Sequence, residues 1–198
     1  MIQEKLGVFG GTFSPPHIGH VRASEAFVRE IRPDRLLVIP TFLPPHKEVA
    51  EGVSADDRLH MARLAFRDVP RAEVSDMEIR RGGKSYTSDT LRELTKKGRK
   101  LYLLCGTDMF LTLDTWHEPD VIFSLATVCP VRRENDPALT AEIERKTAQY
   151  RAHFGADIHP VPTDVCEISS EAIRAHHAAE DTVPAPVRAY IKERGLYR

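Results

Sequence analysis

Cysteine is scarce in this 198-residue chain. Cys105, Cys129 and Cys166 are odd in number, far apart, and set in or near apolar segments. That pattern argues against a disulfide framework or a cysteine metal cluster and fits buried thiols in a reducing compartment. Charge of one sign is also missing: 28 Lys and Arg against 29 Asp and Glu leave a formal net charge of −1, with no general attraction for nucleic acid or an anionic membrane. No apolar run is long enough to span a bilayer, and Met1–Lys5 leads into the first apolar segment without a signal-type region. The expectation is a cytoplasmic protein without nucleic-acid or membrane partners. Neither the Lys-Ser/Thr ending of a Walker loop nor a Gly-x-Gly-x-x-Gly fingerprint is present, and no His-Glu-x-x-His helix marks a zinc protease.

What is present is alternation. Strand-like runs at Leu6–Phe9, Leu36–Ile39, Glu73–Ile79, Leu101–Cys105, Thr127–Val131 and Ile158–Val161 are separated by helical patterns. Val21, Ser24, Phe27, Val28 and Ile31 give one helical face, and Ser54 caps a second helix running to Phe66. A third spans about Asp89–Lys97, stopped by Gly98, and a fourth about Pro137–Phe154, stopped by Gly155. This order predicts one α/β domain over residues 1–198. It is a Rossmann-like, doubly wound, mostly parallel sheet with helices on both faces. A small helical portion occupies about 168–198.

The first strand runs into Gly10-Gly11-Thr12-Phe13-Ser14-Pro15-Pro16-His17-Ile18-Gly19-His20. A strand, a glycine turn and a helix start present backbone N–H groups at the positive end of a helix dipole, which suits a phosphate. Gly11 allows close backbone approach, and Gly19 keeps the helix start free of bulk. Residues three apart share a helix face, so His17 and His20 point together. These two histidines alone do not suit a metal. The strand endings Gly10-Gly11, Pro40-Thr41 and Gly106-Thr107-Asp108 are placed to meet at one crevice, where open α/β sheets bind ligands. Pro44-Pro45-His46-Lys47 offers a stiffly presented cation, Ser85–Thr90 a capped helix start, Trp116 a packing or stacking ring, and Ile168–Arg174 a second capped start with an arginine. Taken singly, each of these segments also has an ordinary structural explanation. Their combination in a phosphate-handling chain favours a site.

Together these segments resemble the bacterial nicotinate-nucleotide adenylyltransferase family, within the His-x-Gly-His nucleotidyltransferase superfamily. The likeness runs from Gly10 to the closing Gly195-Leu196-Tyr197. It implies transfer of the adenylyl group of ATP to nicotinate mononucleotide, giving deamido-NAD and pyrophosphate in NAD biosynthesis, with Mg²⁺ bound mainly through the ATP phosphates. By the same resemblance, His17, His20, Lys47 and Arg174 carry the reaction. Gly10, Gly11, Thr12, Phe13, Gly106, Asp108, Ile168, Ser169, Ser170 and Arg174 surround ATP, with His17 and His20 at its phosphates. His46, Lys47, Tyr86, Thr87, Trp116 and His117 receive the pyridine nucleotide. The chain departs from the family pattern at Ser14, where Asp is frequent, at Glu171, where Thr is common, and at His117, where Tyr is common. Homo-oligomerisation is left open. The alternatives are a sister enzyme acting on phosphopantetheine, nicotinamide mononucleotide or a cytidylyl donor and, from a different class, a regulatory module that binds nucleotide without turnover.

Overall fold

The apolar run before the double glycine becomes the middle of the sheet. The computed structural model describes residues 3–45, 50–96, 98–131, 137–163, 168–175 and 180–197. Its elements are β1 (Glu4–Gly11), α1 (Ile18–Ile31), β2 (Arg35–Pro40), α2 (Ala55–Phe66), β3 (Ala72–Val74), α3 (Met77–Arg81), α4 (Thr87–Leu94), β4 (Arg99–Gly106), α5 (Thr107–Leu111), α6 (Pro119–Leu125), β5 (Ala126–Val131), α7 (Pro137–Phe154), α8 (Ser170–Arg174) and α9 (Ala185–Arg194). All strand pairs are parallel, in the order β3-β2-β1-β4-β5.

Side-chain alternation divides the core in two. Leu6 and Val8 of β1, with Ile39 and Leu103, pack beneath α4 to α7, whereas Phe9, with Val38 and Leu104, packs beneath α1, α2 and α9. Burial on both faces explains why the strands read as nearly continuous apolar runs. Gly7 sets the separation of α1 from the sheet. A Cβ there would stand 2.6 Å from Cε1 of Phe27 and 2.9 Å from Cδ1 of Leu36. The chain passes from β1 through α1 to β2 on one side, while β4 joins the other edge of β1. The strand order therefore reverses between β1 and β4, and a crevice opens beyond their carboxyl ends.

Helix boundaries follow local chemistry. Ser54 accepts from the Asp57 N–H at 3.0 Å while Asp57 accepts from the Ser54 N–H at 3.1 Å, a reciprocal cap for α2. Helix α7 has the predicted bounds, with Gly155 at φ +62 after it. Three expectations are corrected. The run Glu73–Ile79 is strand only to Val74, because α3 begins after Asp76, whose carboxylate pairs with Arg80 four residues on at 2.8 Å. The run Ile158–Val161 makes only single bridges to Val128 and Val131, since Pro160 has no N–H to continue a ladder. Helix α4 covers Thr87–Leu94 in place of Asp89–Lys97, and the Thr95 hydroxyl turns back to the Leu91 carbonyl at 2.7 Å.

Candidate active site

The site begins where β1 gives way to α1. A Cβ on Gly10 would meet nothing within 4 Å, so that face of the turn looks into the crevice, while one on Gly11 would lie 3.0 Å from the Phe13 ring. Phe13 takes a positive φ of 49 and is buried. His17 is the N-cap of α1, and its backbone N–H donates to Nδ1 of His20 at 3.2 Å. The two imidazole rings are 3.7 Å apart, with Phe13 edge-on to His20 at 5.1 Å. His17 is only 1% exposed, so it forms the floor beneath a partly exposed His20. Because Nδ1 of His20 accepts, its proton resides on Nε2. His20 is thereby set as a neutral Nε2–H donor, which suits a developing negative charge without requiring a cation.

Several groups hold the turn in place. Arg58 of α2 is 1% exposed and has three carbonyl acceptors: Thr12 at 3.0 Å, Thr41 at 2.6 Å and Phe42 at 2.9 Å. Burial pushes its pKa below the usual guanidinium range. The clamp joins the segments that follow β1 and β2. From the other end of the chain, Nη1 of Arg174 donates to the Ser14 carbonyl at 2.6 Å and the Ser170 hydroxyl to the Pro15 carbonyl at 2.9 Å. The Ser14 and Tyr197 hydroxyls lie 2.9 Å apart, and burial pushes the Tyr197 phenol up to about 12.

Two recesses flank the β1–β4 junction on opposite faces of the sheet. The larger is floored by Val8, Ile39 and Leu103 and walled by Tyr86, Thr87, Trp116 and His117. The rings of Tyr86 and His117 lie 4.1 Å apart at 33°. Arg92 grips both carboxylate oxygens of Glu118, at 2.6 and 2.8 Å, which ties the His117-Glu118 turn to α4. These bonds hold the Glu118 carboxyl at about 2. The smaller recess is bounded by Phe9, Gly19, His20, Leu104, Gly106 and Val131. Gly106 is the N-cap of α5, and Asp108 lies exposed in that helix's first turn.

The structure thus brings Gly10–Phe13, His17, His20, Gly106, Ser170 and Arg174 around one junction and Tyr86, Thr87, Trp116 and His117 around the neighbouring recess. Ser169 accepts from the Ala172 N–H at 3.0 Å as the cap of α8, with Ile168 immediately before it. His46 and Lys47 lie outside the described residues. Among the described residues no group of three His, Cys, Asp or Glu is placed to hold a metal ion. Two buried charged residues were not anticipated: Arg58, and Glu78 at 4% exposure in the wall of the larger recess. No motif marks Arg58, and the strand expected over Glu73–Ile79 hid Glu78.

A cytidylyltransferase-like family model matches residues 8–176. A protein named "Probable nicotinate-nucleotide adenylyltransferase" from Desulfatibacillum aliphaticivorans is 36% identical over 215 residues, covering 98% of this chain and 99% of its own length. One of the same name from Lachnoclostridium phytofermentans is 32% identical, with 98% of each chain covered. The fold is similar to that of Plasmodium falciparum nicotinic acid mononucleotide adenylyltransferase complexed with NaAD. The TM-score is 0.72 at 16% identity, with 98% and 97% of the two chains covered.

Proposed function

The chain belongs to the nicotinate-nucleotide adenylyltransferases of the cytidylyltransferase-like family, and from this membership we infer that it joins ATP and nicotinate mononucleotide to give deamido-NAD and pyrophosphate. One observation carries the reading: the glycine turn and the Nε2–H of His20 open at the strand-order reversal, between an aromatic recess on one face and a smaller recess on the other.

A phosphate oxygen of nicotinate mononucleotide attacks the α-phosphorus of ATP. The new O–P bond forms as the bond to the β-phosphate oxygen breaks, and pyrophosphate leaves. The nucleophile is already anionic near neutral pH, so alignment and charge stabilisation dominate and no strong base is required. His20 and the first turn of α1 face the α-phosphoryl group, with His17 supporting the His20 ring. Gly106, Asp108 and the Ile168–Ser170 segment bound the adenosine and phosphate side, where Arg174 steadies the turn beside the outer phosphates. Trp116 and Tyr86 flank the pyridine, and the start of α4 at Thr87 and the His117 backbone receive its carboxylate; the family resemblance assigns His46 and Lys47, which lie outside the described residues, to substrate binding. Mg²⁺, bound mainly through the ATP phosphates, would supply neutralisation of their charge.

Pyrophosphate release from ATP, measured with nicotinate mononucleotide, nicotinamide mononucleotide and phosphopantetheine in turn, tests the assignment. Turnover is expected with the first, and release with none of the three refutes an enzymatic role.

A further inference from the structure

The recess assigned to an anionic pyridine has a carboxyl group in its own wall. Glu78 of α3 lines it at 4% exposure. Its Oε1 accepts from the Thr90 hydroxyl of α4 at 2.6 Å, and Oε2 has no partner among the described residues. Among the described residues, the charged and titratable groups facing it are few. Arg81 of α3 lies 3.8 Å from Oε1 but gives its closer bond, 2.7 Å, to Glu93 of α4. Ser85, whose hydroxyl accepts from the Phe42 N–H at 2.9 Å, also lines the recess. Tyr86 and His117 stand across the recess.

We propose that Glu78 is a specificity-determining residue of this recess, admitting a carboxylate-bearing pyridine when it is neutral and rejecting it when it is ionised. Burial, the largest influence on it, pushes its pKa above the ordinary carboxyl value and opposes the lowering effects of Thr90, Ser85 and Arg81. Two like charges about 6–8 Å apart at an effective dielectric near 20 weaken binding roughly thirty- to a hundredfold. A carboxamide feels no comparable penalty. Discrimination between acid and amide therefore declines as pH rises, through the state of a residue that need not touch the ring. The proposal rests on the substrate assignment above.

Trp116, the single tryptophan, lines the recess, so its fluorescence reports binding without turnover. The acid and amide mononucleotides are titrated from pH 4 to 9 against the native protein, Glu78→Gln and His117→Asn. Both ligands carry the same phosphate, so the ratio of their dissociation constants isolates the ring substituent. The native preference for the acid is expected to fall about tenfold or more with rising pH. The fall should persist in His117→Asn and shrink below about threefold in Glu78→Gln, which keeps the low-pH preference throughout. A merely structural role would weaken both ligands alike and leave the ratio unmoved. A flat native ratio, or a Gln variant that still shows the full decline, overturns the proposal, and a flat native ratio or a decline lost in His117→Asn overturns it even if Glu78→Gln does not fold. Failure of both nucleotides to bind would instead remove the substrate assignment and this proposal with it.

Discussion

Replacing Arg58 by methionine removes a buried guanidinium that bonds three carbonyls, those of Thr12, Thr41 and Phe42. Each bond to a charged donor contributes about 1.5–3 kcal/mol net, and a buried carbonyl left without a donor costs about 1–3 kcal/mol. Two effects reduce the loss. The native guanidinium already bears a desolvation cost with no carboxylate partner among the described residues, and its Nε is unsatisfied there, while a buried methionine regains about 1–2 kcal/mol of apolar burial. The net expectation is a loss of about 3–4 kcal/mol. For a chain of this length that lowers the melting temperature by roughly 6–16 °C. Lysine keeps the charge but not the planar fork, so Arg58→Lys should recover only about half. Urea unfolding gives the free energy. Steady-state kinetics should show a raised KM for ATP in both variants, because the turn after Gly11 loses its tether to the segment after β2. An Arg58→Met protein within about 1 kcal/mol of native stability and with unchanged KM would refute the clamp.

Gly7→Ala should cost about 1–3 kcal/mol through the clash with Phe27, whereas Gly10→Ala should leave stability nearly unchanged and weaken nucleotide binding; denaturation paired with fluorescence titration separates the two, and equal stability losses would contradict the placement of Gly10 at the crevice. Nitrogen-15 NMR of the imidazole of His20 should show the Nε2–H tautomer fixed by the His17 N–H, and an Nδ1–H signal would remove the donor role. The Glu118 carboxyl, held near 2 chiefly by its bonds to Arg92, contributes stability that is present above about pH 4.5 and lost as the pH falls through 2. Arg92→Met should therefore make acid unfolding shallower over that interval, and an unaltered acid profile would argue against the pair. Tyr197→Phe should cost about 0.5–1.5 kcal/mol by deleting the bond to Ser14, with a larger fractional effect on kcat than distant surface changes; native kinetics in that variant would show that the contact does not steady the turn.

The segment from β1 to α1 was legible because everything that shapes it is local: an apolar run, two glycines, two prolines and paired histidines within about a dozen positions. Helix α7 was legible to its ends, since Pro137 and Gly155 act on their immediate neighbours. Edge elements were harder. Among the described strands β3 pairs only with β2, so little burial opposes the Asp76–Arg80 pair and the sequence turns to helix early. Arg58 illustrates a different limit. Its partners lie 46, 17 and 16 residues away, and only the folded sheet brings their carbonyls to one point. Glu78 was obscured for the same reason: its burial depends on α4 closing over it through Thr90.

The division of the two recesses between opposite faces of the sheet has a bearing on how such a molecule can diversify. The aromatic recess draws its walls largely from the layer containing α4 to α6, and the recess beside His20 draws on α1, so the side chains of one can vary while those of the other stay constant. Cys105, near the end of β4, lines both. A lineage can exchange one ligand for another by rebuilding a single layer, leaving the group-transfer centre undisturbed.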